Sequence, residues 1–191
     1  ATIQIKSEQK GGRGDKFEDM FVNDKAQNIQ SEIEVIKSKP LMNRVVDSLD
    51  LQFSYYVKGK IKTINVYAQN PFRLEAIKIS NPESGFALDI EYLSEKEVKV
   101  NNEITAIFEN IFTNQLGTFR LISYPGVSHS KYYTVFWRPS KDAASSYADA
   151  LTVFQKTPGT GILKIGMMTE NAKLGADIVN KLMEEYSAYS V

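Results

Sequence analysis

Residues 30–51 read QSEIEVIKSKPLMNRVVDSLDL, and this stretch predicts two short helices that meet at a corner. Apolar residues recur at spacings of three and four up to Ile36, which is typical of one face of an amphipathic helix. Pro40 disfavours helical backbone at the residue before it, so the first helix is expected to end near Lys37. Ser38 is then placed to cap a second helix that carries Pro40 in its first turn.

The chain after this helix pair is rich in β-formers and turn residues. Short strands are predicted at 2–6, before the helix pair, and then at 53–57, 61–67, 75–80, 86–93, 97–100, 103–109, 118–124 and 131–138. A short helix capped by Ser140 and two more strands, at 151–156 and 161–168, are expected next. The last element is a helix with apolar residues at every fourth position from Leu174.

This order of elements predicts an α+β fold. We expect residues 1–191 to form a single domain, with a mixed, largely antiparallel sheet and helices packed on one side of it. Residues 7–16 are glycine-rich and polar, and a mobile loop is predicted there. The tripeptide Arg13-Gly14-Asp15 in this loop spells an adhesion motif, but a solvated loop that happens to carry these residues is the favoured interpretation.

The composition excludes several kinds of site. The chain has 23 Lys and Arg against 23 Asp and Glu, which leaves a formal net charge of +0. This balance provides no overall field to gather nucleic acid, so no nucleic-acid partner is expected. The chain contains no cysteine and one histidine, His129. A thiol nucleophile, a cysteine-based metal centre and a site with several histidine ligands are therefore excluded.

Motifs of catalysis and cofactor binding are weak. The glycine-containing turns at 59–63 and 159–161 lack the spacing of a P-loop and of a dinucleotide fingerprint. His129 lies between two serines but without a nucleophile motif, which favours a polar turn residue. The acidic residues are scattered as on a solvated surface; Glu32, Glu34, Glu184 and Glu185 are examples on helices. We therefore assign no catalytic, cofactor-binding or metal-binding residue, and expect no cofactor and no enzymatic activity in this domain. A hydrolase that uses two of these carboxylates across a cleft is the remaining alternative.

The run from Tyr132 to Trp137 is the most aromatic part of the chain. Its alternation places Tyr133 and Trp137 on one face of a strand, and Tyr132 and Phe136 on the other. A strand buried on one or both faces is the favoured interpretation. The alternative is a platform for sugar rings, in which case the chain is a free-standing carbohydrate-binding or adhesion module.

Three stretches together resemble a known family. These are residues 2–5 (TIQI), the helix pair at 30–51, and GILKI at 161–165 followed by ENAKLGADIVNKLMEEY at 170–186. They are similar in order and spacing to the periplasmic domains of Wzz-type chain-length determinants, the polysaccharide co-polymerases of bacterial envelopes. Ala172 stands where that family usually has proline. The sheet-rich middle and residues 137–140 look most like the longer members, which are fused to a cytoplasmic tyrosine autokinase.

The resemblance implies a location, an assembly and partners. It implies an extracytoplasmic domain on the periplasmic side of the inner membrane, between two flanking transmembrane helices that lie outside residues 1–191. Members form homo-oligomeric rings in the full-length membrane context. They act with a polysaccharide polymerase, the growing glycan or both, and they regulate the length or export of capsular, exo- or O-antigen polysaccharide. A kinase, where the parent protein has one, lies outside these 191 residues.

Overall fold

The computed structural model describes residues 2–4, 28–58, 63–157 and 160–189. The helices in these ranges are α1 (28–36), α2 (Lys39–Ser48), α3 (Ser140–Asp149) and α4 (Ala172–Tyr189). The strands are β1 (Thr2–Gln4), β2 (Phe53–Lys58), β3 (Thr63–Asn65), β4 (Phe72–Ile79), β5 (Phe86–Tyr92), β6 (Glu97–Val100), β7 (Ile104–Ile107), β8 (Ile111–Asn114), β9 (Gly117–Ser123), β10 (Tyr132–Trp137), β11 (Leu151–Gln155) and β12 (Ile162–Met167). The loop predicted at 7–16, with its Arg13-Gly14-Asp15 tripeptide, lies outside the described residues.

The corner between α1 and α2 confirms the prediction from residues 30–51. Helix α1 ends at residue 36, and Lys37 forms a turn. Ser38 has extended backbone, with φ −66° and ψ 138°, and its Oγ accepts a hydrogen bond from the Leu41 N–H at 3.4 Å. Pro40 lies in the first turn of α2. Because N–H groups in the first turn have no acceptor within the helix, proline removes no helical hydrogen bond there.

The predicted cap of α3 is wrong. Pro139 occupies the capping position and makes no side-chain hydrogen bond to the helix. Ser140 is already helical, and its Oγ donates to Asp47 Oδ1 at 2.5 Å. The hydroxyl therefore links α3 to the end of α2, a partner 93 residues away that the local sequence does not indicate.

The strands form three sheets, and the prediction of one sheet is wrong. The six-stranded sheet has the order β3-β2-β10-β5-β6-β7, and the two three-stranded sheets are β4-β9-β8 and β1-β12-β11. The strand pairs of the described residues are antiparallel. The predicted α+β class is confirmed.

Strand β8 was not predicted. Its residues are β-formers, but the strand is short and is followed at once by a tight turn. The Asn114 side chain accepts hydrogen bonds from the N–H groups of Leu116 and Gly117, at 2.9 and 3.2 Å, and so returns the chain into β9. The run of β-formers Ile111-Phe112-Thr113 before Asn114 is the sequence signal that was available.

One hydrophobic core lies between the six-stranded sheet and the β4-β9-β8 sheet. Phe72 of β4 is fully buried there, with ring centroids 5.3 Å from Tyr133 of β10 and 5.7 Å from Tyr55 of β2. The Leu74 N–H donates to the Tyr55 hydroxyl at 3.0 Å, which joins the same two sheets. The middle of the chain is therefore a sandwich of two sheets.

A second core joins the helices to the β1-β12-β11 sheet. It combines Ile36 of α1, Val45 of α2, Ala144 of α3, Ile165 of β12 and Ile178 of α4. The predicted packing of helices on the single large sheet is thus corrected. Their apolar faces bury against the small sheet because the inner face of the six-stranded sheet is already covered by β4-β9-β8.

Candidate functional site

His129 precedes β10 and is held by contacts on its ring face and on both nitrogens. The ring stacks on Tyr92, with 4.1 Å between centroids and 16° between planes. Its Nδ1 is 3.3 Å from the backbone oxygen of Ser130, and its Nε2 is 3.2 Å from Glu95 Oε1. Neither partner is a serine hydroxyl, so the geometry is that of a polar residue that fastens a turn.

Two of the helical carboxylates join helices to one another. Glu185 Oε2 of α4 lies 2.9 Å from Arg44 Nε of α2, and Glu185 Oε1 lies 3.4 Å from Lys181 Nζ. The Tyr186 hydroxyl of α4 donates to the Glu32 carboxylate of α1. These side chains stabilise the helical layer, and none of these contacts brings two carboxylates together across a cleft.

The remaining acidic and glycine-rich candidates do not converge. Gln30 donates to Glu34 at 3.3 Å, and Lys181 Nζ lies 3.1 Å from Glu184. Within the described ranges, no group of three or more His, Cys, Asp and Glu side chains is placed to hold a metal ion. The turns at 59–63 and 159–161 each include residues outside those ranges.

The aromatic strand β10 has one buried and one exposed face. Tyr133 and Trp137 are buried, and the Trp137 ring stacks on Phe86 with 5.2 Å between centroids. The interpretation of β10 as a strand buried on one or both faces is confirmed, and one face is buried. Trp137 has no free ring face for a sugar, whereas Tyr132 and Phe136 on the opposite face are 49% and 42% exposed.

The exposed face of β10 borders a groove of about 600 Å³. We call it the aromatic groove; it lies between the outer face of the six-stranded sheet and the segment formed by α3 and the start of α4. Its lining includes Tyr56, Phe136, Arg138, Tyr147, Met168 and Glu170. The Tyr56 and Phe136 rings meet edge to face, with 5.5 Å between centroids and 88° between planes.

The charged and aromatic side chains of this groove lie close together. The Arg138 guanidinium carbon lies 5.6 Å from the centre of the Tyr147 ring. Burial raises the pKa of Tyr147, while Arg138 and a hydrogen bond with Ser54 act in the opposite direction. Tyr56, Arg138 and Tyr147 come from β2, the end of β10 and α3, so sequence analysis had no local signal that they meet.

A polar link joins the region after β3 to helix α4. The Tyr67 hydroxyl donates to Asp177 Oδ2 at 3.1 Å, and Asn171 Nδ2 donates to the backbone oxygen of Asn65 at 3.2 Å. Lys173 Nζ lies 2.5 and 2.7 Å from the two Asp177 oxygens and is the main cause of the lowered pKa of Asp177. Burial, followed by the Asp177 hydrogen bond, raises the pKa of Tyr67 to about 12.

This pKa shift predicts a loss of stability at alkaline pH. Because the pKa of Tyr67 is 10.0 when unperturbed and about 12 in the fold, its stabilising contribution is complete below pH 10. That contribution is lost as the pH rises from 10 to 12. Burial also raises the pKa of Tyr55 and Tyr92, so some loss remains without Tyr67.

We expect the free energy of unfolding to fall less steeply across this window in Tyr67→Phe than in the wild type. Urea denaturation at successive pH values measures the difference. Phe154→Leu, a change on a half-exposed ring that removes no titratable group, is the matched control and is expected to follow the wild-type slope. Equal slopes for Tyr67→Phe and the wild type would contradict the role assigned to Tyr67.

No protein-family model matches the chain, and no curated protein is significantly similar to it. Among the helices in the described ranges, none combines the length and apolar composition needed to cross a bilayer.

Proposed function

We propose that this chain is the non-catalytic periplasmic domain of a Wzz-type polysaccharide co-polymerase. In this role it regulates the chain length or export of a capsular, exo- or O-antigen polysaccharide at the inner membrane. Its partners are further copies of itself, the polysaccharide polymerase and the growing glycan.

The observation that carries this proposal is the meeting of the two stretches that bear the family resemblance. Ile36 and Val45 of the helix pair pack in the same core as Ile165, Ile178 and Leu182 of the closing stretch. The Arg44–Glu185 ion pair joins the same two stretches at 2.9 Å. Motif residues more than 100 positions apart in the sequence therefore pack in one helical layer. Such packing is expected of residues that define a fold.

The position of the first strand also supports the proposal. Strand β1 pairs with β12, with Thr2 opposite Lys164 and Gln4 opposite Ile162, and β12 leads into α4. The opening stretch and the closing stretch that bear the resemblance therefore share one sheet, held together by backbone hydrogen bonds.

The mechanism needs no covalent step from these residues. In a cyclic assembly each copy uses one side surface against the complementary side of its neighbour, and the rotation closes a ring. A closed ring of membrane-anchored copies limits the space around the polymerase and the growing chain. The proposed mechanism therefore depends on the shape and symmetry of the ring. In keeping with this, Glu32 and Glu185 join helices to one another.

The proposal is tested in the parent protein. Its gene is expected to encode an apolar segment of about 20 residues on each side of this domain. Deletion of the domain from the otherwise intact parent is expected to change the modal polysaccharide length or to abolish export, as measured by gel electrophoresis of the surface polysaccharide. Re-expression of the intact parent is the control. Absence of either flanking segment, or an unchanged length distribution, would reject the proposal.

A further inference from the structure

Most side chains that line the aromatic groove contribute to neither hydrophobic core of the fold. The exceptions are the partly buried Tyr147 and the buried Leu174 at the helical wall. The volume of the groove, about 600 Å³, lies in the range of pockets that hold small ligands. We propose that this groove binds a short segment of an acidic polysaccharide, with sugar rings against Phe136 and Tyr56 and a uronate carboxylate at Arg138.

The inference deepens the proposed function and rests on it, because it gives the glycan partner a place and a chemical class. The groove exposes large apolar side chains. Phe136 is 42% exposed and Met168 is 87% exposed, and both line the groove. Large apolar side chains gathered at one exposed site indicate a binding surface, whereas isolated ones do not. Aromatic rings offer flat faces that suit the apolar faces of sugars.

The groove also carries a positive charge at Arg138. Arg138 is partly buried, and among the described residues no Asp or Glu carboxylate lies within 4.0 Å of its guanidinium. By contrast, Arg44 pairs with Glu185 and Arg120 pairs with Glu75. A partly desolvated guanidinium without an acidic partner favours an anionic ligand, and its planar donors fit a carboxylate in two parallel hydrogen bonds.

The surroundings of Arg138 select a sugar acid over other anions. The guanidinium lies over the Tyr147 ring, and the groove carries further polar groups in Asn65 and Thr169. Glu170 also lines the groove and is exposed, which disfavours a densely charged polyanion but leaves an acceptor for sugar hydroxyls. The formal net charge of +0 likewise provides no field for nucleic acid.

The test uses the purified 191-residue chain with two probes of similar length, a short oligogalacturonate and a maltooligosaccharide. Isothermal titration calorimetry is expected to show saturable binding of oligogalacturonate and roughly tenfold or more weaker binding of the neutral probe. Phe136→Ala and Arg138→Gln are each expected to weaken oligogalacturonate binding by roughly tenfold or more.

Matched controls remove the same kinds of side chain outside the groove. Tyr132→Ala removes another exposed aromatic ring of β10, and Arg73→Gln removes an exposed arginine outside the groove; both are expected to bind as the wild type does. Circular dichroism checks that each variant folds. If Phe136→Ala does not fold, Arg138→Gln alone tests the inference. No saturable binding, equal affinity for the neutral probe, or binding unaffected by Arg138→Gln would overturn the inference.

The two proposals fail separately. A negative binding result on the purified chain overturns the groove assignment and leaves the co-polymerase proposal intact. An unchanged polysaccharide after deletion of the domain in the parent rejects the co-polymerase proposal, whatever the groove binds.

Discussion

Replacement of Phe72 by alanine is expected to lower the free energy of unfolding by about 3–5 kcal/mol. The Phe72 ring is 0% exposed and lies between the two sheets of the sandwich. Its neighbours are the aromatic rings of Tyr55, Tyr92, Phe108 and Tyr133, at centroid distances of 5.3 to 6.4 Å. Because these rings are themselves confined by two paired sheets, they cannot collapse into the space that Phe72 leaves, and a cavity remains.

Urea denaturation followed by circular dichroism measures this loss. Phe154→Ala is the matched control, because Phe154 is 50% exposed on β11 and its removal, which includes loss of the contact with the Lys164 ammonium over its ring, is expected to cost no more than about 1 kcal/mol. A loss below about 1 kcal/mol for Phe72→Ala would show that the sandwich core relaxes around the missing ring.

Replacement of Leu182 by alanine is expected to cost about 2–5 kcal/mol. Leu182 is fully buried in the helical core, where α4 packs with α2 and β12. Its loss weakens the contact between the two stretches that carry the family resemblance, so this variant probes the layer on which the proposed function depends.

The same denaturation experiment applies to this variant. Leu93→Ala is the control of the same type, since Leu93 is half exposed after β5 and its truncation is expected to change stability by about 0.5 kcal/mol or less. If Leu182→Ala and Leu93→Ala lowered the free energy of unfolding equally, the helical core would not be tightly packed around Leu182.

Much of the local structure is predictable from the sequence because its causes are local. The break between α1 and α2 follows from Pro40 and from the Ser38 hydroxyl three residues before the Leu41 N–H. Likewise, the alternation in β10 correctly places Tyr133 and Trp137 on one face of the strand, and the structure shows that this face is the buried one. Where a hydroxyl finds a distant partner instead, as Ser140 does with Asp47, the local prediction is wrong.

The partition of strands into sheets is not predictable in this way. Strand β4 has the composition of its neighbours in the sequence, yet it pairs with β9 and β8 while β2, β5 and β10 join the six-stranded sheet. The choice depends on which apolar faces cover each other, and Phe72 settles it by packing against Tyr55 and Tyr133 across the sandwich. Such contacts join residues 17 and 61 positions apart, beyond the reach of a periodic pattern.

The candidate site shows the same division. The sequence by itself determines the alternation of β10, together with the helix corner, the closing helix and the α+β class. Which face of β10 stays exposed, the one that carries Phe136, is decided by the packing of the sheets. Only the tertiary structure places Tyr56, Arg138 and Tyr147 beside Phe136, because strand register and helix docking decide which distant side chains meet. Periodicity reports which face of an element is apolar, whereas the neighbour on that face is selected by the packing of the whole chain.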